Sequence, residues 1–290
     1  MLGPTTKFRR EQDRARWAGL SRPVRRSSPR PWPEQGGEGT IVKKVTAFQT
    51  WTPYCGAAPI PAEWLGRWNF DPPLLLALAA ALAVALRFVA SKRSVPALAA
   101  LLILTLLFVS PFCALTSALF SARVVHHVVL AAIAAPLIAW TIPHPALRRG
   151  RLAAWTALHA LVFWMWHVPD VYAWALSHDG AYWLLQALLL GSGVAFWAQV
   201  RLAPAPAAAA ALLATTVQMG LLGALITFAA TPLYAPHLVS PLAWGYTPLE
   251  DQQLGGLIMW APAAALYLGA AVLLFGRWLA REQRLATAGS

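Results

Sequence analysis

Seven apolar stretches, each long enough to cross a lipid bilayer, constrain this chain more than any other feature. A helix needs about 20 mostly apolar residues to cross the hydrocarbon core, and 58% of the 290 residues are hydrophobic whereas only 12% are charged. Backbone polar groups in lipid must be satisfied internally, and the alternation of a membrane barrel is missing. The sequence therefore predicts an all-α integral membrane protein, a bundle of seven transmembrane helices. The predicted spans are 73–90, 96–118, 124–142, 152–168, 181–200, 207–230 and 254–275.

Positive charge predicts the orientation of this bundle. Cytoplasmic loops carry an excess of Lys and Arg, and the basic residues here follow the first, third, fifth and seventh spans, with Arg123 as an exception. The N-terminus of the bundle is therefore predicted to lie outside and the C-terminus inside. Because the net charge of +12 follows membrane topology, we expect no nucleic-acid partner. The orienting residues are Arg87, Lys92, Arg93, Arg148, Arg149, Arg151, Arg201, Arg277, Arg281 and Arg284.

The chain divides into four predicted regions. Residues 1–44 form a tail rich in Arg and Pro with no apolar face, which predicts disorder. Exporting such a basic tail is unfavourable, and three explanations are open. The tail stays inside and the first segment is not a simple span, or the tail is exported anyway, or the start codon is misassigned. We favour the hypothesis of a misassigned start codon. Residues 45–72 are predicted to lie across the outer mouth of the bundle, 73–275 to form the membrane domain and 276–290 to form a basic cytoplasmic tail.

Histidines and cysteines collect at the predicted outer end of the bundle. Five of the seven histidines fall there, with one cysteine near the end of the second span and another in the segment before the first. An ionisable side chain at membrane depth is costly and commonly functional. Imidazole and thiolate are good copper ligands, and thiolate especially favours Cu(I). The candidate metal ligands are Cys55, Cys113, His126, His127 and His167.

The strongest of these candidates have structural alternatives. Cys55 and Cys113 could equally form a disulfide, because an outward-facing environment can be oxidising. His126 and His127 point about 100° apart on a helix, so one could be a ligand and the other a hydrogen-bonding residue. Both could instead cap or cross-link helices.

The remaining histidines are interpreted singly. Pro169 predicts that the fourth helix ends near Val168, which places His167 at the membrane boundary, where it could be a ligand or pair with Asp170. His159, deeper in the same helix, is predicted to hydrogen-bond to a neighbouring helix. The two histidines of the outer loops, His178 and His237, are predicted to be solvated and are not proposed as ligands.

The start of the last helix is encoded locally. Thr247 is predicted to cap it, Pro248 to occupy its first position and Glu250 to complement its dipole, a role that Asp251 is also given.

The same helix continues with two glutamines and two glycines that are predicted to pack it against its neighbours. Gln252 and Gln253 are polar at the membrane entrance, where they could hydrogen-bond across helices. Gly255 and Gly256 would allow close approach of a neighbouring helix.

Three segments in combination carry a family resemblance: FSARVVHHVVLAAIAAPLIA, WMWHVPDVYAWAL and DQQLGGLIMW. Together they resemble the polytopic CtaG family of cytochrome c oxidase assembly factors, over roughly residues 53–284. The resemblance implies a multi-pass protein of the cell inner (plasma) membrane that is required for active heme–copper oxidase. It also implies a role in copper delivery. The partners that it implies are the subunits of cytochrome c oxidase and the membrane lipid. The matching motif positions are His126, His127, His167, Asp251 and Gln252.

The leading functional prediction is a non-enzymatic assembly factor that binds or delivers copper at the outer face. No nucleophile–base set, phosphate loop or catalytic carboxylate pair is apparent. One alternative is a membrane cytochrome with histidines as heme ligands, and another is a transporter for a metal or small solute. The inner half of the bundle offers few polar groups and no clear repeat, which disfavours both.

Overall fold

The computed structural model describes residues 53–87, 94–142 and 151–288, and within these ranges the chain forms helices and loops without a strand. The predicted tail 1–44 lies outside the described residues. Nine helices are defined: α1 Pro72–Leu86, α2 Ser94–Phe108, α3 Pro111–Ala118, α4 Phe120–Thr141, α5 Leu152–Trp166, α6 Pro169–Ala175, α7 Asp179–Leu202, α8 Ala205–Thr227 and α9 Pro248–Ala288.

Four of these helices are long and apolar enough to cross a membrane: α4, α7, α8 and α9. Helices α2 and α3 meet at a 50° bend and add a fifth span if the bent pair is one span. Helices α1 and α5 are apolar but have 15 residues each, about 22 Å, which is less than the roughly 30 Å of a bilayer core. The all-helical membrane prediction is thus confirmed, whereas the count of seven spans and the orientation of the termini stay predictions.

Helix α4 lies at the centre of the bundle. Of its most apolar window 56% is buried, against 22% for α9. Its first half packs against α3 and the start of α9, and its second half packs against α2 and α7. Residues carried by α4 are therefore positioned by several neighbouring helices at once.

Two of the long helices contain a π-helical turn. In α4 this turn is Leu130–Ala134, and in α9 it is Met259–Ala263. The second includes Pro262, whose missing N–H and bulky ring disrupt an ordinary α-helical turn. Each wider turn lets a long helix continue while changing the face that it presents to its neighbours.

Two predicted helix boundaries are confirmed. Helix α5 ends at Trp166 and α6 begins at Pro169, with Val168 extended between them. At the start of α9, the Thr247 hydroxyl accepts from the Glu250 N–H at 3.2 Å, and the Glu250 carboxylate accepts from the Thr247 N–H at 2.7 Å. This reciprocal pair is a capping box.

The segment that precedes α1 is tied to one end of the bundle. The Asn69 amide side chain donates to the Phe108 carbonyl at 3.1 Å, and the Trp244 indole N–H donates to the Pro59 carbonyl at 3.0 Å. The Tyr54 hydroxyl donates to Asp71 at 2.6 Å. The segment therefore contacts the end of α2 and the turn Ser240–Trp244 before α9.

Candidate metal and anchoring site

Three of the predicted histidines lie together in the interior. The ring centroids of His126 and His127 are 5.7 Å apart, and those of His127 and His167 are 6.2 Å apart. All three side chains are buried, with at most 6% of their surface exposed. We call these three residues the histidine cluster. His178 lies outside this group: its side chain is exposed, as predicted, and its Nδ1 forms a hydrogen bond with the Ser177 hydroxyl.

Several nitrogens of the histidine cluster are open to a ligand. Neither ring nitrogen of His126, nor Nε2 of His127, has a hydrogen-bond partner among the described residues, although the Leu107 carbonyl lies beside His126. His167 Nδ1 donates to the Phe163 carbonyl at 2.7 Å. Because a carbonyl only accepts, this bond leaves Nε2 of His167 with the lone pair that could bind a metal. The sequence also allowed His167 to pair with Asp170, but its Nδ1 bonds to the Phe163 carbonyl.

The prediction of a solvated His237 is wrong. The side chain is only 2% exposed, because the loop between α8 and α9 folds onto the ends of α3 and α6. Its Nε2 lies 2.7 Å from the Tyr172 hydroxyl and its Nδ1 lies 3.5 Å from the Ala118 carbonyl. Burial lowers the pKa of His237 to about 3, so the ring is neutral at physiological pH. Both nitrogens have partners, which makes this histidine structural.

Asp251 has a different role from the one its position in α9 predicts. Its carboxylate accepts from the Phe120 N–H at 2.6 Å, from the Ser121 N–H at 3.1 Å and from the Ser121 hydroxyl. It is fully buried and caps the N-terminus of α4 from another helix, where the unpaired N–H groups and the helix dipole favour an anion. Asp251 therefore holds the helix that carries His126 and His127.

Gln252 forms the neighbouring anchor. Its side-chain oxygen accepts from the Leu233 N–H at 2.6 Å, and its amide donates to the carbonyls of Ile226 at 3.4 Å and Thr231 at 3.5 Å. The predicted hydrogen bond across helices is confirmed for this residue. Asp251 and Gln252 thus connect the start of α9 to α4 on one side and to the end of α8 on the other.

The two cysteines form a disulfide. Cys55 and Cys113 are joined with a Cα–Cα distance of 5.4 Å, and Cys55 Sγ also lies 3.6 Å from the Tyr182 hydroxyl. The sequence leaves open whether these cysteines form a disulfide or serve as thiolate ligands, and the structure contains the disulfide. A disulfide sulfur is not a thiolate, so the assignment of these cysteines as metal ligands stays a prediction for the reduced chain.

Thiol alkylation tests this pairing directly. Unfolded but unreduced protein is expected to incorporate no alkylating label, because both sulfurs are bonded, and to incorporate two labels after reduction; the mass of the intact protein measures both. A Cys55→Ser variant serves as the control, since its remaining Cys113 should react without reduction. Two labels on the unreduced wild-type protein would contradict the pairing.

Arg123 is a buried residue near the histidine cluster to which the sequence assigns no role in the site. It is 1% exposed and belongs to the first turns of α4, whereas the sequence shows only a basic residue at the end of the bundle where few are expected. The unexpected position of this basic residue is the sequence signal that could have indicated a specific role.

The spacing of the histidine cluster is compatible with a shared metal ion. In the described ranges, no group of three or more His, Cys, Asp or Glu side chains is already arranged around a metal position. An imidazole bound at about 2.0 Å places its centroid roughly 3.2 Å from the ion, so two rings on one ion are separated by at most about 6.4 Å. The centroid separations of 5.7 and 6.2 Å fall within that limit. Two of these rings could therefore share an ion after a change in ring orientation.

Comparison with known proteins identifies the family to which the chain belongs. No curated protein and no solved structure matches the chain. The model of the family described as "Cytochrome c oxidase caa3 assembly factor" matches residues 76–281. The match includes the histidine cluster, Cys113, Asp251 and Gln252 but begins after Cys55. Because it covers more than half of the sequence, the chain belongs to the cytochrome c oxidase caa3 assembly factor (Caa3_CtaG) family.

Proposed function

We propose that this chain assists the assembly of a heme–copper cytochrome c oxidase in the cell inner membrane by binding copper at the histidine cluster and passing it on. The observation that carries the proposal is the set of buried imidazole nitrogens in His126 and His127 that complete no hydrogen bond to any described residue. Buried polar groups normally have hydrogen-bond partners. Nitrogens that are left open, beside a third imidazole, suit a soft metal ion such as Cu(I).

The surrounding helices prepare these ligands in different ways. The Phe163 carbonyl holds the ring of His167 and determines which nitrogen faces away from α5. His126 lies edge-on to Phe108, with 4.9 Å between centroids, and is stacked on Phe112 at 6.3 Å. These aromatic walls exclude water from His126, and a neutral imidazole is the form that binds a metal.

We infer a binding role rather than catalysis, with the oxidase as the partner that accepts the copper. The family description of an assembly factor supports this inference. An ion held only by neutral imidazoles can be transferred to a site that also offers thiolates, because the receiving site binds Cu(I) more tightly.

Copper content tests the proposal. The full chain, purified in detergent and supplied with Cu(I), is expected to retain about one copper ion, whereas His126→Ala/His127→Ala should bind copper at least about 10- to 100-fold more weakly, as losses of metal-site residues typically do. His178→Ala is the matched control, since that histidine is exposed, and it should retain the wild-type content. Equal copper in the double variant and the wild type, or copper in neither, would contradict the proposal.

The contribution of the cysteines can be separated in the same experiment. Ascorbate keeps copper as Cu(I) without opening protein disulfides, so copper bound under ascorbate alone is held by the histidine cluster. A Cys55→Ser/Cys113→Ser variant with unchanged copper content would assign the site to the histidines. Additional copper that the wild type binds once a thiol reductant has opened the disulfide, and that this variant does not bind, would show that one or both sulfurs take part after reduction.

A further inference from the structure

Arg123 is a buried cation at a position that does not favour one. It is the fourth residue of α4, where the positive end of the helix dipole repels a positive charge, and 1% of its surface is exposed. Removing a guanidinium from water is costly unless an anion or several acceptors replace the water. A charge kept at such a place needs a partner that offsets both penalties.

The protein supplies only part of that partnership. Arg123 Nε donates to the Thr116 carbonyl at 3.1 Å. Within the described residues, Nη1 and Nη2 have no hydrogen-bond partner. Tyr182 lies against the guanidinium, with its ring centroid 5.6 Å from Cζ, and its hydroxyl interacts with Arg123 without completing a hydrogen bond to either Nη. A neutral phenol contributes a cation–π contact but no negative charge.

The nearby carboxylate is already used. Asp251 accepts three hydrogen bonds from Phe120 and Ser121 at the start of α4, so its charge is committed to the end of the helix. Asp71, another acid at this end of the bundle, accepts from Tyr54 and from the Leu74 N–H. Neither carboxylate lies within hydrogen-bonding distance of the open nitrogens.

The open atoms define the chemistry of the missing partner. With Nε occupied, the guanidinium presents Nη1 and Nη2 as a two-donor fork, which matches the two oxygens of a carboxylate. Ser117, next to Thr116, adds a buried hydroxyl that has no hydrogen-bond partner in the part of the chain that the structure describes. We propose that Arg123 is the binding site for a carboxylate group, which it holds through Nη1 and Nη2 beside Tyr182. This site is separate from the proposed copper site and does not depend on it.

Placement on α4 connects the carboxylate to the histidine cluster. Arg123 precedes His126 by three residues and His127 by four, so each imidazole is a neighbour of the arginine one helical turn along α4. Copper at the neighbouring imidazoles would bring a second positive charge close to the guanidinium. A bound carboxylate would offset that repulsion and would therefore favour copper retention.

Thermal unfolding of the full chain in detergent, without copper, tests the proposal with acetate as the probe. Acetate is expected to raise the Tm of the wild-type protein with increasing concentration, as a ligand of the folded state does, whereas chloride at equal ionic strength should not. The shift should be lost in Arg123→Met. Without acetate this variant should unfold at the wild-type temperature or above it, because an apolar side chain replaces an unpaired buried charge.

Two further variants keep the test decisive. Arg67→Met removes an exposed arginine and should keep the full acetate response. Arg123→Lys retains the charge but loses the fork, so it should need at least about tenfold more acetate for the same shift, and it provides the comparison if Arg123→Met does not fold. An equal acetate shift in wild type and in the Arg123 variants, or an equal effect of chloride, would overturn the proposal.

The source of the carboxylate follows from what the protein carries when purified. A small organic acid released on denaturation, at about one per chain in wild type and absent from Arg123→Met, would identify a free ligand. An acetate shift that requires Arg123, together with a second polypeptide that stays bound to the wild type and is lost from Arg123→Met, would identify a carboxylate of that polypeptide. Because no arm uses copper, failure here would leave the copper proposal standing, and failure of the copper proposal would leave this one.

Discussion

Replacing Asp251 with alanine is expected to destabilise the protein by about 3–5 kcal/mol, because it leaves two backbone N–H groups and one hydroxyl buried without an acceptor, at about 1–3 kcal/mol each. The carboxylate accepts from two backbone N–H groups and one hydroxyl at the start of α4. Without it, these donors stay buried and unpaired, and each costs free energy that no other described side chain recovers. Unfolding of the purified variant by heat and by denaturant measures the loss.

The adjacent acid is the control. Glu250→Ala removes only an exposed carboxylate of the capping box at the start of α9, so it should cost far less than Asp251→Ala. Asp251→Asn keeps one acceptor oxygen and should fall between them. If Asp251→Ala and Glu250→Ala were equally stable, the cap on α4 would contribute nothing and the proposed anchoring of the histidine cluster would be wrong.

Replacing Gly256 with alanine is expected to force α8 and α9 apart. A Cβ at this position would lie 2.6 Å from the Thr227 nitrogen and 2.8 Å from the Gly223 carbonyl oxygen, and backbone atoms cannot move aside as a side chain can. Gly223 has the reciprocal constraint, since its Cβ would lie 2.7 Å from the Trp260 nitrogen. We expect a cost at or above the upper end of the roughly 1–3 kcal/mol typical of overpacking, measured as the change in unfolding free energy.

The same substitution elsewhere in α9 should have the opposite sign. A Cβ at Gly269 meets nothing within 4 Å, and alanine is favoured over glycine in a helix interior by about 1 kcal/mol. Gly269→Ala should therefore be neutral or stabilising. A Gly256→Ala variant as stable as Gly269→Ala would show that the helices do not cross as closely as described.

Local sequence signals predicted the elements that depend on neighbouring residues. Thr247 and Glu250 form the capping box because both partners lie within one turn. Pro169 ends α5 because its ring restricts the preceding residue. The close packing predicted for Gly255 and Gly256 follows from the absence of a side chain, and the Cβ contacts confirm it.

Roles that depend on distant partners could not be predicted in this way. Asp251 belongs to a helix start where an acid is expected, yet it caps a helix about 130 residues earlier. His237 is in a loop, where solvent exposure is the usual expectation, but Tyr172 and the Ala118 carbonyl enclose it. These outcomes depend on how helices cross, which hydropathy does not encode. His159 was predicted correctly because a buried imidazole in a membrane helix needs some partner, here the Ser192 hydroxyl at 2.9 Å.

The cap that Asp251 provides also imposes an order on the synthesis of the protein. Asp251 follows Phe120 by 131 residues, and ribosomes add about 5–20 residues per second, so roughly 7–26 s pass between the two. Throughout that interval the nascent chain already contains His126 and His127, but the start of their helix lacks its anchor. The end of the molecule that carries the histidine cluster is thus completed only when the last helix is inserted.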